Sequence, residues 1–269
     1  RLQAVAVTQH ITSRYPEYTC GEHHLIENME DCERVVNTMH TCLLKVPWSG
    51  SGKGLNWCLH GFTKPVSNWC ERVLREQGCL TAEPIYNKVK DFALEFYSDG
   101  QGEVRFAGYS VFSTNEHGAY TGNLLASDGQ IEESIACCLS LEKLTGIREA
   151  LRAELASIYG NTYTGYLGVD MMVCRSDKED GYCVHPCVEI NMRMNMGVVA
   201  RLFYDRFVAP GSKGCFAVEY VPDNETLRAR HEQDMHDYPL TVEQGRLASG
   251  YLPLVPVTGK SCYRVYVRI

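Results

Sequence analysis

The sequence has no long apolar run, no internal repeat, no low-complexity tract and no excess of basic residues. Its apolar stretches fall well short of the roughly 18 residues that a membrane-spanning helix needs, which argues against a membrane protein. Lysine and arginine total 26 against 33 acidic residues, so the formal net charge is −7. This balance argues against a general nucleic-acid-binding protein, which would carry a basic surface.

Cysteines, in contrast, are numerous: there are 13 in 269 residues, an odd count with irregular spacing. No secretory signal is evident, so we expect free thiols in a reducing compartment, and therefore a cytoplasmic protein, rather than a disulfide framework.

The chain begins at Arg1 rather than methionine, and we expect the true N-terminus to be missing. The length suits one large domain or two small ones.

A glycine-rich loop follows a short apolar segment that carries one lysine, Lys45. Such a loop exposes backbone N–H groups, because glycine lets the chain turn sharply and approach a ligand closely. Exposed N–H groups beside a lysine form a phosphate-binding cradle. The simpler alternative is a hairpin loop with a solvated lysine. The loop residues in question are Ser49, Gly50, Ser51, Gly52, Lys53 and Gly54.

Two common nucleotide-binding motifs do not fit this loop. A P-loop requires glycine five positions before Gly52 and a hydroxyl residue after Lys53, whereas the chain has Pro47 and Gly54 there. A Rossmann fingerprint also fits poorly, because no acidic residue closes a βαβ unit at the expected distance. Phosphate binding by this loop therefore needs a different structural context.

A second polar stretch lies on two segments that read as strands around a charged turn, residues 175–181. Asp170 lies on the first strand, and Glu189, Asn191 and Arg193 alternate along the second, so these three share one face. Carboxylate and amide oxygens suit a hard cation such as Mg²⁺, which is often held by a few protein oxygens and by phosphates. Alternatively, the same groups stabilise a turn at a strand end.

Taken in order, these motifs resemble the ATP-grasp superfamily, in particular its carboxylate–amine ligases and biotin-dependent carboxylases. The resemblance covers about Cys42 to Gly197. It implies an α+β, ATP-grasp fold in which two α+β subdomains clasp ATP: residues 1–79 as a lid with the glycine-rich loop, and residues 80–269 as a large subdomain with the metal site. The motifs are Lys45 with its loop, Glu83-Pro84-Ile85, Asp91, Gly168-Val169-Asp170 and Glu189-Ile190-Asn191-Met192-Arg193.

The resemblance also implies a role for each residue. Lys45 would pair with the α and β phosphates of ATP, and the backbone of Ser49 to Gly54 would cover the β and γ phosphates with help from Lys53. The backbone around Glu83 and Ile85 would meet the adenine edge, and Asp91 would hold ribose hydroxyls. Without the resemblance, Glu83 simply ends a strand and Asp91 is a solvated charge. Asp170, Glu189 and Asn191 would hold Mg²⁺, and Arg193 would steady the acyl phosphate or the incoming carboxylate.

The implied activity is a ligase that makes an acyl phosphate from a carboxylate and ATP and joins it to an amine or a thiol. Two alternatives remain: a nucleotide-binding module inactive in isolation, and an ATP-dependent kinase. The expected partners are small-molecule substrates, with homodimer formation left open. The chain departs from the family pattern in three respects. It shows no N-terminal acceptor domain and no second phosphate-binding lysine, and it has Gly168 where an arginine is frequent. Either a preceding part is missing or the enzyme has lost these parts.

Periodicity and end signals predict helices over residues 28–40, 65–77 and 196–208. Two further helices follow one another: the first begins at a capping box of Ser127 and Gln130 and ends at Gly146, and the second ends at Gly160. Residues 223–249 are expected to hold short helical stretches, and two paired strands are expected at the C-terminus.

Cys183, His185 and Cys187 alternate on one strand, too far apart to share one zinc ion. The pair His23-His24 shows no partner pattern and is expected at the surface.

Overall fold

A computed structural model of the chain describes residues 2–49, 54–115, 120–178 and 181–269. The chain divides into two compact units. The first unit comprises Arg1–Lys90 and Asp170–Ile190, and the second comprises Asp91–Val169 and Asn191–Ile269. Among the described helices, none combines the length and the apolar character that crossing a membrane would require.

The first unit is an α+β structure built on a four-stranded antiparallel sheet with strand order β1-β4-β2-β3. Its N-terminal helix, α1, is not predicted from the sequence. The elements are α1 (Leu2–Arg14), β1 (His24–Ile26), α2 (Met29–Met39), β2 (Cys42–Lys45), β3 (Leu55–Cys58), α3 (Lys64–Gln77) and β4 (Leu80–Pro84).

Alternation along β2 and β4 gives this sheet two different faces. Cys42 and Leu44 of β2, with Leu80 and Ala82 of β4, belong to an apolar core that they share with residues of α2 and α3. The intervening residues, including Lys45, therefore point to the opposite face. The strand pattern thus buries one face in the core and presents polar groups on the other.

The ends of α2 and α3 follow local rules, and both predicted helices are confirmed. The Asn28 side chain accepts a hydrogen bond from the backbone N–H of Asp31 at 2.8 Å, which satisfies a donor at the start of α2. Pro65 lies in the first turn of α3, where its missing N–H costs nothing. Gly78 ends α3 in the left-handed region, with φ of 79°.

The second unit contains a larger, mainly antiparallel sheet. Within it the strand order is β13-β14-β10-β7-β6-β5, followed by the first half of β8. The elements that follow β4 along the chain are β5 (Lys88–Asp99), β6 (Val104–Thr114), β7 (Tyr120–Leu125), α4 (Asp128–Ala136), α5 (Leu141–Tyr159), β8 (Thr164–Arg175), β9 (Tyr182–Asn191), α6 (Met196–Phe207), β10 (Gly214–Tyr220), α7 (Asn224–Asp237), β11 (Thr241–Glu243), β12 (Arg246–Ser249), β13 (Tyr251–Pro253) and β14 (Tyr263–Arg268).

Helix α6 covers part of this sheet. Its residues Ala200 and Tyr204 join a core that includes Leu125 of β7, Phe216 of β10 and Val267 of β14. The second half of β8 and nearly all of β9 belong to the first unit, where they form a hairpin. This hairpin has the predicted strand–turn–strand form.

One predicted helix boundary is wrong. The capping box of Ser127 and Gln130 starts α4 as expected, but α4 ends at Ala136 and α5 already begins at Leu141, so Gly146 lies inside α5. The reason is local: the Ser140 side chain accepts a hydrogen bond from the backbone N–H of Lys143 and so starts a helix earlier. Near the C-terminus, α7 is one 14-residue helix instead of several short ones.

The predicted division at residue 79 into a lid and a large subdomain stays a prediction. The compact first unit continues past residue 79, because β4 pairs with β1 and β2 in the four-stranded sheet. It also includes Asp170–Ile190 from the centre of the chain.

The capping box supports a stability prediction. We expect Ser127→Ala to lower the free energy of unfolding by about 1 kcal/mol, because the Gln130 N–H loses its acceptor while α4 otherwise stays unchanged. Urea unfolding measures this loss. Glu133→Ala is the control: Glu133 is exposed inside α4, where alanine is the better helix former, so this change should not destabilise the protein. Equal losses in the two variants would contradict the capping role.

Candidate functional site

Lys45 and Glu83 form a buried ion pair on the polar face of the four-stranded sheet. Leu43 lies opposite Glu83 in the β2–β4 pairing and Lys45 lies opposite Thr81, so Lys45 and Glu83 are diagonal neighbours on one face. The Lys45 ammonium contacts Glu83 Oε1, and the two side chains are only 8% and 3% exposed. The expectation that Glu83 meets adenine through its backbone is untested, but its side chain has a structural partner.

The base of the glycine-rich loop is held by hydrogen bonds to its flanks. Val46 N–H donates to the Gly54 carbonyl at 3.0 Å, and Gln77 bonds both backbone groups of Trp48. Gly54 has φ of 79°, and a Cβ there would lie 2.3 Å from Val46 Cγ2, so only glycine fits. Ser49 begins the loop, whereas Gly50, Ser51, Gly52 and Lys53 lie outside the described residues, and their predicted phosphate contacts stay predictions.

The Cys187 thiol is influenced by the charge of Lys45 and by the charges of two predicted magnesium ligands. Burial raises the pKa of the Cys187 thiol, and the negative charges of Asp170 and Glu189 raise it further, while the positive charge of Lys45 lowers it. All three charges therefore lie within electrostatic range of one sulfur atom inside the first unit. The charges that act on this thiol thus come from three strands, β2, β8 and β9.

The remaining predicted site residues fall at other positions. Ile85, 36% exposed, directly follows β4 in the first unit. Asp91, Asn191 and Arg193 belong to the second unit: Asp91 lies in β5, Asn191 is the buried last residue of β9, and Arg193 is exposed two residues later. Their expected contacts with ribose, magnesium and an acyl phosphate stay predictions.

Gly168, one of the departures from the ATP-grasp pattern noted in the sequence, has no room for a side chain. A Cβ there would lie 1.9 Å from Asn195 Nδ2 and 2.7 Å from Glu95 Oε2. Asn195 donates from that same Nδ2 to Glu95 at 2.9 Å and caps α6 by accepting from the Val198 N–H. The Asn195–Glu95 pair therefore occupies the space that a longer side chain at 168 would need.

His23 is not a surface residue, so that expectation is wrong. Its side chain is only 4% exposed, and its Nδ1 lies 3.5 Å from Glu83 Oε2. The cause is tertiary: β1 pairs antiparallel with β4, and the register His24–Ala82 places His23 level with Glu83. No short-range pattern in the sequence indicates this contact, because about 60 residues separate the two strands.

His185 comes to the same point from β9. Its fully buried ring has Nε2 3.9 Å from Glu83 Oε2, and its centroid is 5.2 Å from that of His23. The segment before β1 is held beside β9, since Val184 exchanges backbone hydrogen bonds with Tyr18 and Cys20. Three segments distant in sequence therefore bring His23, Glu83 and His185 together.

Both imidazoles are held in the neutral form. Burial lowers the pKa of His23 to about 4, and the positive charges of Lys45 and His24 contribute. Burial also lowers the pKa of His185, with further contributions from His23 and Lys45. At neutral pH each ring therefore keeps a nitrogen lone pair that can accept a hydrogen bond or bind a metal.

The sequence matches no protein-family model and no curated protein. Its structure, in contrast, is similar to several solved structures. N5-carboxyaminoimidazole synthetase from Staphylococcus aureus, complexed with ADP, has a TM-score of 0.59 at 11% identity, covering 100% of this chain and 66% of that one. Carboxyaminoimidazole ribonucleotide synthase from Aspergillus clavatus, complexed with ATP, has a TM-score of 0.57 at 13% identity, covering 99% and 68%.

A third similar structure is the biotin carboxylase domain dimer of 2-oxoglutarate carboxylase from Hydrogenobacter thermophilus, in complex with MgADP, ADP and bicarbonate. Its TM-score is 0.53 at 12% identity, covering 97% of this chain and 61% of that one. The present chain thus spans about two thirds of the length of these three proteins or somewhat less. At such identities the similarity is one of fold, and it confirms the α+β architecture expected from the sequence.

Proposed function

We propose that this chain, which has the ATP-grasp fold, binds Mg-ATP and provides the ATP-binding part of a ligase that activates a carboxylate. One observation supports the proposal: the charges of Lys45, Asp170 and Glu189 all act on the Cys187 thiol within the first unit. A lysine and two carboxylates suit the opposite charges of a triphosphate and a divalent cation. The glycine-rich loop begins four residues after this lysine.

The chemistry of the donors fits magnesium. Asp170 and Glu189 offer carboxylate oxygens and Asn191 offers an amide oxygen, the ligand types that magnesium takes from proteins. When bound, the ion neutralises phosphate oxygens and so stabilises the charge that develops during phosphoryl transfer. We assign these three residues to holding it, and Lys45 to the α and β phosphates.

In the proposed reaction, a carboxylate oxygen of the substrate attacks the γ phosphorus of ATP, which yields an acyl phosphate and ADP. An amine or thiol then attacks the acyl carbon and releases phosphate. We assign Arg193 to orienting the carboxylate and the acyl phosphate. We assign the loop from Ser49 to Gly54 to excluding water from this intermediate. Glu83, Ile85 and Asp91 are assigned to the nucleoside.

Glu189→Gln tests the metal assignment. The change keeps the size of the side chain but removes its charge, so we expect it to weaken ATP binding in magnesium at least about tenfold. Binding measured in excess chelator should change little. Isothermal titration calorimetry with a non-hydrolysable ATP analogue gives both values. The control, Glu243→Gln, alters an exposed residue of β11 and should leave binding unchanged. An unchanged magnesium dependence in Glu189→Gln would remove Glu189 from the site.

Product analysis separates the ligase from its alternatives. Release of ADP and phosphate that requires both a carboxylate and an amine or thiol supports the ligase. A phosphorylated product that survives without the second substrate identifies a kinase instead. Mg-ATP binding without turnover, across a panel of carboxylates with an amine or a thiol, identifies a nucleotide-binding module.

A further inference from the structure

We propose that His23, Glu83 and His185 form a binding site for a transition-metal ion of the zinc type, separate from the proposed magnesium ligands. Among the described residues, this is the one group of three or more potential ligands whose donor atoms all lie within 4.8 Å of one another. Two imidazoles and one carboxylate are a ligand set that zinc commonly takes. Magnesium, in contrast, prefers oxygen ligands.

The distances are close to those of an assembled site. Zinc bonds to nitrogen and oxygen are about 2.0–2.2 Å long, so ligand atoms in a tetrahedral site lie roughly 3.3–3.6 Å apart. Glu83 Oε2 lies 3.5 Å from His23 Nδ1 and 3.9 Å from His185 Nε2. All three donor atoms lie within 4.8 Å of one another, so they have to approach by at most about 1.5 Å to reach tetrahedral spacing.

The ring nitrogens of His23 and His185 lack hydrogen-bond partners among the described residues. Across the parts of the chain that the structure describes, neither ring nitrogen of His23 or of His185 finds a hydrogen-bond partner, although all four atoms are buried. A buried polar atom without a partner costs about 1–3 kcal/mol, so four at one point need a physical explanation. A metal ion would satisfy one nitrogen of each ring.

Neutral rings suit this role. A metal displaces the proton from an imidazole, and burial together with Lys45 already keeps both rings unprotonated at neutral pH. Glu83 would use Oε2 for the metal while Oε1 keeps its contact with Lys45. The lysine would then hold the carboxylate in place, as partners of metal ligands commonly do. Its positive charge also lowers the affinity for a cation.

The test is a Co²⁺ titration of the metal-free, fully reduced protein without nucleotide, followed by visible absorption, with Zn²⁺ displacing the cobalt. One bound Co²⁺ with the spectrum of tetrahedral nitrogen and oxygen ligands is expected. His23→Gln and His185→Gln should each weaken binding on the order of 100-fold. His24→Gln, which alters the half-exposed neighbour of His23, should leave it unchanged. Lys45→Met should tighten binding about tenfold or more, because it removes a competing charge.

Thiols are the main competing ligands, and the spectrum distinguishes them. Cys20, Cys174 and Cys183 influence one another's pKa, so these thiols lie in one neighbourhood. A thiolate-to-cobalt charge-transfer band that disappears in Cys183→Ser would overturn the proposal, as would no Co²⁺ or Zn²⁺ binding to the wild-type protein. If the histidine variants do not fold, X-ray absorption of the zinc-loaded wild-type protein decides between nitrogen and sulfur ligands. The experiment contains no nucleotide, so its result is independent of the proposed function.

Discussion

Lys45→Met is expected to remove the stabilisation of the protein by Mg-ATP and to destabilise the nucleotide-free protein by about 3–5 kcal/mol. The first effect follows from the proposed contact of Lys45 with the phosphates, and the second from the buried position of its ammonium group. In the nucleotide-free protein Lys45 neutralises Glu83, and both side chains are less than a tenth exposed. Methionine fills a similar volume but leaves the Glu83 carboxylate buried without its cation.

Thermal and urea unfolding with and without Mg-ATP measure both effects. At 100 times its dissociation constant, a ligand stabilises the folded protein by about 2.7 kcal/mol, and we expect this increment to vanish in Lys45→Met. Lys64→Met, at the exposed start of α3, is the control and should retain the increment.

The double variant Lys45→Met/Glu83→Gln separates stability from binding. It removes both charges, so it should recover part of the lost stability, because no buried carboxylate remains without a counter-charge. It should not recover the response to Mg-ATP. If Lys45→Met keeps the full Mg-ATP increment, the assignment of Lys45 to the phosphates is wrong, whatever its effect on stability.

Arg264→Met is expected to lower the free energy of unfolding by about 2–4 kcal/mol. In the second unit, the nearly buried guanidinium of Arg264 donates to Glu219 Oε2 at 2.5 Å and to Asp234 Oδ2 at 2.6 Å. It therefore connects β14 with β10 and α7. Because Glu219 and Asp234 are 25% and 18% exposed, water partly replaces the lost contacts, and the loss stays below that of a fully buried pair.

The pH dependence gives a second readout for Arg264. Burial alone would raise the pKa of Glu219, but hydrogen bonds from Arg264 and Arg230 outweigh it and hold this pKa below its ordinary value of 4.5. A carboxylate with a lower pKa in the folded state stabilises the protein above pH 4.5, and this contribution is lost as the pH falls through the folded-state value. We expect a smaller acid-induced loss in Arg264→Met than in the wild type.

Urea unfolding at neutral pH and near pH 4 tests this expectation. Arg228→Met is the control, because Arg228 is exposed on α7 and its contact with Glu232 is a 3.6 Å surface pair. Its effect should stay within about 0.5 kcal/mol at either pH. Equal effects of the two substitutions would show that burial of Arg264 contributes nothing to stability.

Several elements could be predicted because the signals that define them are local. Asn28, Pro65 and Gly78 each act within one helical turn, and the structure places the ends of α2 and α3 accordingly. The wrong boundary at Gly146 has the same origin: glycine is a frequent but not an obligatory helix terminator, and the nearby Ser140 provides a stronger start signal. Competing local signals are resolved by packing, which one sequence does not show.

The candidate site also combines features that local signals in the sequence suggest with features that depend on tertiary contacts. Roles for Lys45, its loop, Asp170, Glu189 and Asn191 could be proposed from the sequence, because strand alternation and ligand chemistry are encoded residue by residue, and these roles stay predictions. The partner of Lys45 could not be predicted from the sequence, since its contact with Glu83 depends on the register of β2 against β4. His23 and His24 illustrate this most clearly. These sequence neighbours differ in burial, because only His23 faces Glu83.

The sequence by itself determined the fold class and the ends of several helices, and it predicted residue types that suit a nucleotide and its cation. Tertiary structure alone decided which charges are buried together and which histidines meet a carboxylate. The physical reason is that propensity and alternation act over a few residues, whereas the cost of burying a charge depends on strands brought together from distant parts of the chain.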